Sequence, residues 1–371
     1  MNPACAALLE ALREPAAMAG FDANVWDRVV RQAAAAGVLG RLGALARETG
    51  IDAALPPPIW RHMQALLTIA GQQQRAVRWE LVQLSRTLAN LAGPVLLLKG
   101  AAYAAADLPP AAGRLFADID LLVPKSQIDA AEAALMLDGW NSSQHDAYGQ
   151  RYYRKWMHEL PPMMHIRRQT VLDLHHNILP ETARIRVDPA PMLAAARTLP
   201  EFPCFSIPSR EDQVLHSATH LFHEGEWQHG LRDLVDLDAM LRVYAHDPAF
   251  LDHLILRAES LGLGRPLFYG LRHAERLLAT PLPQGLLDRC PDRSGPLQTA
   301  VMDRLFHAAF ATAHESCRTR LSGVAAWILY VRSHWLRMPP HLLVPHLMRK
   351  SWQRHVGKMS GGRERGTKYD A

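Results

Sequence analysis

The chain has 371 residues, 49% of them hydrophobic, so it is long enough for two or three domains with substantial cores. Its four cysteines form no CxxC pair and no regular framework, which favours a reduced, cytoplasmic protein over a secreted, disulfide-rich one. They are Cys5, Cys204, Cys290 and Cys317. We expect a soluble protein without a signal peptide or a transmembrane helix. The first residues carry no basic leader, and the longest apolar window near the C-terminus, Leu321 to Val331, falls short of the roughly 20 residues that cross a bilayer.

The net charge of +5 is unevenly distributed along the chain. From Arg318 onward, 11 lysines and arginines accompany two acidic residues, so this end carries +9 and the preceding 317 residues carry −4. Such an end could contact nucleic acid, an anionic lipid surface or an acidic partner, or it could be a solvated tail. Its tryptophans Trp327, Trp335 and Trp352 fit either a helix on an anionic membrane or a helical core, and we favour the core.

The first 90 residues or so predict several amphipathic helices, separated at Gly20, Gly50 and the three prolines 56–58. The last of these helices begins directly after the prolines and ends at a Gly-Pro step. This part of the chain should therefore form a helical region ahead of the core.

The core begins with a short apolar run over residues 94–98, which has the length of a buried strand and ends at a Lys-Gly pair. A helix is expected over residues 101–106. Another helix should begin at Ser126, whose hydroxyl offers an N-cap, and run through Leu137. Between these two helices lies the segment that carries the chemistry.

Two carboxylates, Asp118 and Asp120, lie within the apolar run of residues 115–123. Side chains at positions i and i+2 of a strand point to the same face, so the two carboxylates should stand side by side. Burying adjacent carboxylates is unfavourable because their charges repel and lose their water. A bound divalent ion, or a pair of ions, would remove that cost. The alternative without a metal is a solvated strand end.

Three more candidate strands follow. Residues 148–156 and 163–168 lie on either side of a Pro-Pro break. Residues 171–175 alternate between apolar and polar side chains, which places Asp173 and His175 on one face of a strand. The sequence thus predicts a small α/β core that carries a third carboxylate.

Taken in order, the Lys99–Gly100 pair, the Asp-x-Asp strand and the strand with Asp173 resemble the nucleotidyltransferase superfamily with the DNA polymerase β-like core. Within it, the chain is similar to the uncharacterised bacterial nucleotidyltransferase family over roughly residues 30–245. The segments that carry the resemblance are Leu98–Gly100, Arg114–Val123, Val171–His175, Pro208–Asp212 with Leu215, His216 and His220, and Leu231–Asp236. One departure is Ala101, where the superfamily usually has a serine.

The resemblance implies an α+β fold, mostly helical overall, with a small mixed-sheet nucleotidyltransferase core flanked by N- and C-terminal helical regions. The helical period that returns at about residue 211 and persists to about residue 355 marks the C-terminal region. The expected boundaries are 1–92 for the N-terminal helical region, 93–190 for the core, 205–357 for the C-terminal helical domain and 358–371 for a basic flexible tail.

The same resemblance implies roles for the core residues. Asp118 and Asp120 would coordinate two Mg²⁺ ions that bind the triphosphate of an NTP donor. Asp173 would be the third carboxylate ligand and would help to activate the acceptor hydroxyl. Gly100, which lacks a side chain, would let phosphate approach the backbone closely. Lys99 would either contact the triphosphate or pair with one of the carboxylates.

Arg114 and His175 complete the candidate nucleotide-binding set. Arg114 either contacts the nucleotide or orients its loop. His175 shares the predicted face of Asp173 and could hydrogen-bond that carboxylate, or it could be a structural histidine.

Further histidines share one predicted helical face at positions i, i+4 and i+7: His216, His220 and His223, with Glu224 adjacent. This spacing superficially suggests zinc, but there is no His-Glu-x-x-His motif, so packing or capping is favoured. In the next helix, Arg232, Asp233 and Asp236 are expected to tie helices together rather than to catalyse.

These implications predict a Mg²⁺-dependent nucleotidyltransferase, which moves a nucleoside monophosphate from an NTP to an acceptor hydroxyl on a small molecule, a protein side chain or an RNA end. The rival is a catalytically silent accessory protein of the same fold that binds nucleotide or a partner, in a polysaccharide or toxin–antitoxin context. The missing serine at position 101 favours this rival, and the three carboxylates oppose it. A third alternative is nucleic-acid binding through the C-terminal end, whose charge is +9.

Overall fold

A mixed seven-stranded β-sheet forms the α/β core of the protein. The structure is a computed structural model that describes residues 5–142, 147–223, 225, 227–311 and 313–343. Within these residues the strands are β1 (Val95–Leu97), β2 (Asp118–Leu122), β3 (Trp140–Ser142), β4 (Met163–His165), β5 (Val171–His175), β6 (Arg197–Leu199) and β7 (Phe202–Ile207). Their order across the sheet is β3-β4-β5-β2-β1-β7-β6.

The sheet contains both parallel and antiparallel pairs of strands. β2 runs parallel to β5, and their register places Asp120 opposite Asp173 and Leu121 opposite Leu174. β1 is antiparallel to β2 and parallel to β7, whereas β3, β4 and β5 pair antiparallel and β6 forms a hairpin with β7. The mixed sheet and the helices around it confirm the expected α+β class.

From residue 5 onward, where the described structure begins, four α-helices precede the sheet: α1 (Ala6–Arg13), α2 (Ala23–Ala35), α3 (Leu39–Glu48) and α4 (Pro57–Thr87). Asp22 caps α2 by accepting a hydrogen bond from the Val25 N–H, and proline at the start of α4 is compatible with a first helical turn. α4 has 31 residues and buries one stripe of side chains against the core. The predicted breaks at Gly20 and Gly50 lie between α-helices, whereas Pro57 and Pro58 form the first residues of α4, which ends at Thr87.

Leaving aside residues 143–146, which the structure does not describe, the core contains four α-helices: α5 (Lys99–Ala105), α6 (Ile128–Leu137), α7 (Ala147–Trp156) and α8 (Ala190–Ala194). The prediction of a strand over residues 148–156 is wrong, because this segment is α7. Its aromatic residues Tyr152 and Trp156 are four positions apart, so in a helix their rings meet edge to face, with 6.1 Å between the ring centroids. Ser126 does not cap α6 but lies in a 3₁₀ turn before it.

Six helices follow the sheet in the described part of the chain: α9 (Arg210–His223), α10 (Gly230–Tyr244), α11 (Phe250–Ser260), α12 (Gly264–Leu278), α13 (Pro296–Phe310) and α14 (Ser322–Arg337). They confirm the helical period predicted after residue 211. The predictions for Glu224, for Trp352 and for the 358–371 tail lie outside the described residues. One continuous apolar cluster joins the helices before and after the sheet, from Leu8 to Leu329.

Cys5 and Cys317 form a disulfide bond, with 5.5 Å between their Cα atoms. The expectation that all four cysteines are reduced is therefore wrong for this pair, whereas Cys204 and Cys290 are free. The two bonded residues are 312 positions apart, so no local spacing pattern could reveal them.

The tryptophans of α14 do not lie in the core, which corrects the expectation that they would. Trp327 is 65% exposed and Trp335 is 47% exposed. The helix instead buries a face of mostly small residues: Ser322, Ala325, Leu329 and Ser333. No helix in the described residues is long and apolar enough to cross a bilayer.

Candidate functional site

Strands β2 and β5 bring three carboxylates together on one face of the sheet. Asp118 and Asp120 alternate with core residues along β2, and Asp173 lies opposite Asp120 on the parallel strand β5. Carboxylate oxygens of all three residues lie within 4.8 Å of one another. The opposite face of the two strands carries fully buried leucines, which fixes the direction in which the carboxylates point.

The three carboxylates differ in exposure and in pKa. Burial raises the pKa of Asp173 to about 8, and the negative charge of Asp120 adds to this shift. The same charge raises the pKa of Asp118, which is exposed at the rim. Asp120 is only 5% exposed; burial opposes its ionisation, but the Lys99 charge and a hydrogen bond with His175 hold its pKa below the usual range.

This donor set fits a divalent cation. Mg²⁺ takes oxygen ligands, and three converging carboxylates offer them. The Oδ1 atom of Asp173 is buried and has no hydrogen-bond partner among the described residues. A cation would satisfy that oxygen and offset the repulsion that raises the pKa values of Asp118 and Asp173.

A small polar cavity of about 120 Å³ adjoins Asp118 and Asp120. Lys99 lies on its wall at the turn from β1 into α5, where its φ of 39° falls in the left-handed region. Such a conformation is uncommon for a lysine and is found more often at functional sites. The structure therefore places Lys99 beside the carboxylates, as the sequence predicted.

Gly100 and Arg114 lie next to each other in the wall of this cavity. A Cβ on Gly100 would be 2.9 Å from Nη1 of Arg114 and 3.1 Å from Cδ1 of Phe116, closer than side chains normally approach. The absence of a side chain thus leaves room for the guanidinium. Arg114 donates from Nε to Oδ2 of the buried Asp236 over 2.7 Å.

Helices α9 and α10 supply residues of the cavity that the sequence did not assign to the site: Ser217, His220, Arg232, Asp233 and Asp236. Arg232 pairs with the adjacent Asp233 over 2.9 Å, and its charge helps to hold the pKa of that carboxyl below its usual value against the effect of burial. Two parts of the family resemblance, His220 and the segment Leu231–Asp236, pointed to this wall. The expectation that these residues tie helices together misses their place in the cavity.

His175 is part of the site but contacts a different carboxylate from the one expected. Its Nε2 lies 3.1 Å from Oδ1 of Asp120, so the predicted hydrogen bond to Asp173 is wrong. On helix α9, burial and the positive charge of Lys99 lower the pKa of His216 well below its usual value. Among the described residues, the α9 histidines do not group as metal ligands.

Comparison with known protein families matches residues 22–279 to a family described as uncharacterised nucleotidyltransferase. The match covers more than half of the chain and includes the three carboxylates, Lys99 and the wall formed by α9 and α10. No curated protein matches the chain significantly. The extent of the family match is sufficient to place the protein: it belongs to the uncharacterised nucleotidyltransferase family.

Proposed function

We propose that this protein is a Mg²⁺-dependent nucleotidyltransferase that transfers a nucleoside monophosphate from an NTP to an acceptor hydroxyl. The observation that carries the proposal is the convergence of Asp118, Asp120 and Asp173, whose oxygens lie within 4.8 Å of one another beside a polar cavity. Membership of a nucleotidyltransferase family supports the same reaction class.

Asp118, Asp120 and Asp173 would hold two Mg²⁺ ions. Bound ions would neutralise triphosphate charge and polarise the phosphorus that is attacked. Asp120 is held in place by its contact with His175, whereas Asp118 lies exposed where a substrate can reach it. Asp173, opposite Asp120 in the strand register, would complete the ligand set and help to activate the acceptor hydroxyl.

The cavity wall would bind the phosphates. Lys99 and Arg232 both line the cavity next to Asp118 and supply positive charge to it. At about 120 Å³ the cavity has room for a phosphate-sized group but not for a nucleoside, so the base and ribose would lie outside it. Arg114 acts as a positioning residue, because its guanidinium is already paired with Asp236.

Ala101 supports a second candidate, a silent accessory protein that binds nucleotide without turning it over. This residue is fully buried in α5 and offers no hydroxyl to a phosphate, unlike the serine that the superfamily usually has there. Both candidates require nucleotide and Mg²⁺ to bind, so binding alone does not distinguish them.

Product formation distinguishes them. The protein is incubated with Mg²⁺, each labelled NTP and cell lysate as the source of acceptor, and pyrophosphate release and labelled products are measured. We expect release with the unmodified protein and a loss of about 100-fold or more in the Asp118→Asn/Asp120→Asn variant. The exposed Asp292→Asn is the matched control, because asparagine tolerates the left-handed conformation at that position. Binding without release identifies the accessory protein, and unchanged release in the double variant refutes the assignment.

A separate surface, on helix α14, is proposed to make weak contact with an anionic membrane. The exposed indoles of Trp327 and Trp335 lie on α14, close in sequence to the exposed Arg318 and Arg320. Exposed aromatic rings with basic side chains nearby are typical of helices that lie at a lipid interface. The proposed role of this surface is attachment, independent of the carboxylate site.

A further inference from the structure

A second group of possible metal ligands lies beside the carboxylate site. Residues 158–160 run antiparallel to the end of β5: the Leu160 N–H donates to the Leu174 carbonyl over 2.8 Å, and the His176 N–H donates to the His158 carbonyl over 2.8 Å. This pairing places Glu159 opposite His175 as a bridge partner. As a result, His158, Glu159 and His175 offer ligand atoms that lie within 4.8 Å of one another.

The imidazole of His175 lies between two carboxylates. Its Nε2 is 3.1 Å from Oδ1 of Asp120, and its Nδ1 is 3.2 Å from Oε2 of Glu159. A carboxylate only accepts hydrogen bonds, and a neutral imidazole has one N–H to donate. When Nε2–H serves Asp120, Nδ1 carries a lone pair beside Oε2 of Glu159. Nδ1 is buried and has no hydrogen-bond partner among the described residues.

A cation between Nδ1 and the Glu159 carboxylate would remove this conflict. Ligands held about 2.1 Å from a tetrahedral ion lie roughly 3.4 Å apart, close to the separation of the two atoms here. The Nε2 of His158 lies 4.0 Å from the same carboxylate oxygen, so the ligand atoms of all three residues surround one point. A metal-bound histidine usually donates its other N–H to a carboxylate, and Asp120 is in that position.

We propose that His158, Glu159 and His175 bind a transition-metal ion, with Zn²⁺ the best match to two imidazoles and one carboxylate. This site is distinct from the all-oxygen group of Asp118, Asp120 and Asp173, which suits Mg²⁺. Three protein ligands leave a fourth position open. The bound ion would fix the tautomer of His175 and so hold Asp120 for the neighbouring carboxylate site. The proposal does not depend on nucleotidyl transfer.

The test measures metal binding by the full-length protein. After treatment with a chelator, the protein is titrated with Zn²⁺, and with Co²⁺ as a spectroscopic probe, in excess Mg²⁺. We expect one ion per chain and visible Co²⁺ absorption bands that persist in Mg²⁺. His158→Gln and Glu159→Gln should weaken Zn²⁺ binding by at least about tenfold. His176→Gln, at a neighbouring buried histidine outside the group, should not change it.

Asp118→Asn separates this proposal from the proposed reaction. The variant should keep the Co²⁺ spectrum even though it loses Mg²⁺-dependent turnover. Loss of the spectrum in Asp118→Asn, or its retention in His158→Gln and Glu159→Gln, would overturn the proposal. The absence of Zn²⁺ binding would also overturn it and would leave His175 as an imidazolium that donates to both carboxylates.

If the variants fail to fold, X-ray absorption spectroscopy of the Zn²⁺-loaded unmodified protein identifies the metal ligands directly. We expect two imidazole nitrogens at about 2.0–2.1 Å from the metal. Coordination by oxygen alone would place the ion in the carboxylate group and contradict the assignment.

Discussion

Asp120 on β2 and Asp173 on β5 are partners in a parallel strand register, so the backbone holds their carboxylates on one face of the sheet. The crowding of these charges is a property of the fold and does not depend on a bound ion. Its cost appears in the pKa of Asp173, which burial and the Asp120 charge raise to about 8. This relationship predicts how the protein responds to Mg²⁺.

Mg²⁺ should stabilise the protein against heat, and Asp173→Asn should remove that effect. A ligand that binds only the folded state at 100 times its dissociation constant contributes about 2.7 kcal/mol. Without Mg²⁺ the variant should unfold at a higher temperature than the unmodified protein near neutral pH, because folding must protonate the Asp173 carboxyl, which is charged in the unfolded chain, and asparagine removes that cost. Thermal denaturation with and without Mg²⁺ measures both effects. An equal Mg²⁺ shift in the two proteins would show that Asp173 is not a ligand.

Gly100→Ala and Gly71→Ala should change stability in opposite directions, although each replaces a glycine within a helix. At Gly100 the new Cβ would press on Arg114 and Phe116, at 2.9 Å and 3.1 Å. At Gly71 in α4 its nearest neighbour is Nη1 of Arg75, at an ordinary 3.6 Å.

We expect Gly71→Ala to gain up to about 1 kcal/mol from helix propensity. Overpacking at Gly100 should cost about 1–3 kcal/mol, which outweighs that gain, and should weaken the Arg114–Asp236 pair. Urea denaturation gives both free energies of unfolding. A stabilised Gly100→Ala variant would mean that the cavity wall is loosely packed.

The stability of the C-terminal helices should depend on the pH through His273. Its ring stacks on Phe222 at 5.7 Å and packs against Phe306. Burial lowers the pKa of His273 to about 3, although the nearby Asp303 opposes the shift. The titratable groups that face the ring are Asp303, His307, Arg272 and Arg276.

The direction of this pH effect follows from the pKa values of His273 in the unfolded chain and in the folded protein. The unfolded chain protonates this histidine near pH 6.5 and the folded protein only near pH 3, so acid favours unfolding in that range. The free energy of unfolding should fall by up to about 1.4 kcal/mol per pH unit below pH 6.5 through this group. His273→Phe should reduce the slope, and His253→Gln, at an exposed histidine, should keep it. Equal slopes in urea denaturation at several pH values would exclude His273 as the cause.

Attachment to anionic vesicles should depend on the indoles of α14. Trp327→Gln/Trp335→Gln should weaken sedimentation with vesicles that contain phosphatidylserine, and added salt should weaken it further. Trp79→Gln on α4 is the matched control, because this tryptophan is 54% exposed on a different element. If the unmodified protein and the two variants sedimented equally with the vesicles, the indoles of α14 would not be responsible for membrane attachment. Binding to nucleic acid and not to vesicles would favour the third alternative.

The carboxylate site was predictable because strand alternation is a local property. In β2 and β5, apolar residues at every second position fix the face on which Asp118, Asp120 and Asp173 lie. The same rule failed for α7, where closely spaced aromatic residues fit a helical stripe as well as a strand. The hairpin of β6 and β7 gave no clear alternation and was missed.

Contacts between distant parts of the chain could not be read from the sequence. Arg114 and Asp236 are 122 residues apart and meet only because α10 packs against the turn before β2. Glu159 lies in an irregular segment whose pairing with His175 depends on the sheet. Each of these residues could be recognised in the sequence as a possible ligand or ion-pair partner. Which of them come into contact is decided by tertiary packing.

The Cys5–Cys317 bond turns most of the chain into a covalent ring, and residues 22–279, which match the family, lie inside it. A single proteolytic cut between the two cysteines therefore leaves one connected molecule while the bond is intact. The same cut in a reducing environment releases two polypeptides. The oxidation state of one sulfur pair thus decides whether a nicked chain keeps its two ends covalently joined.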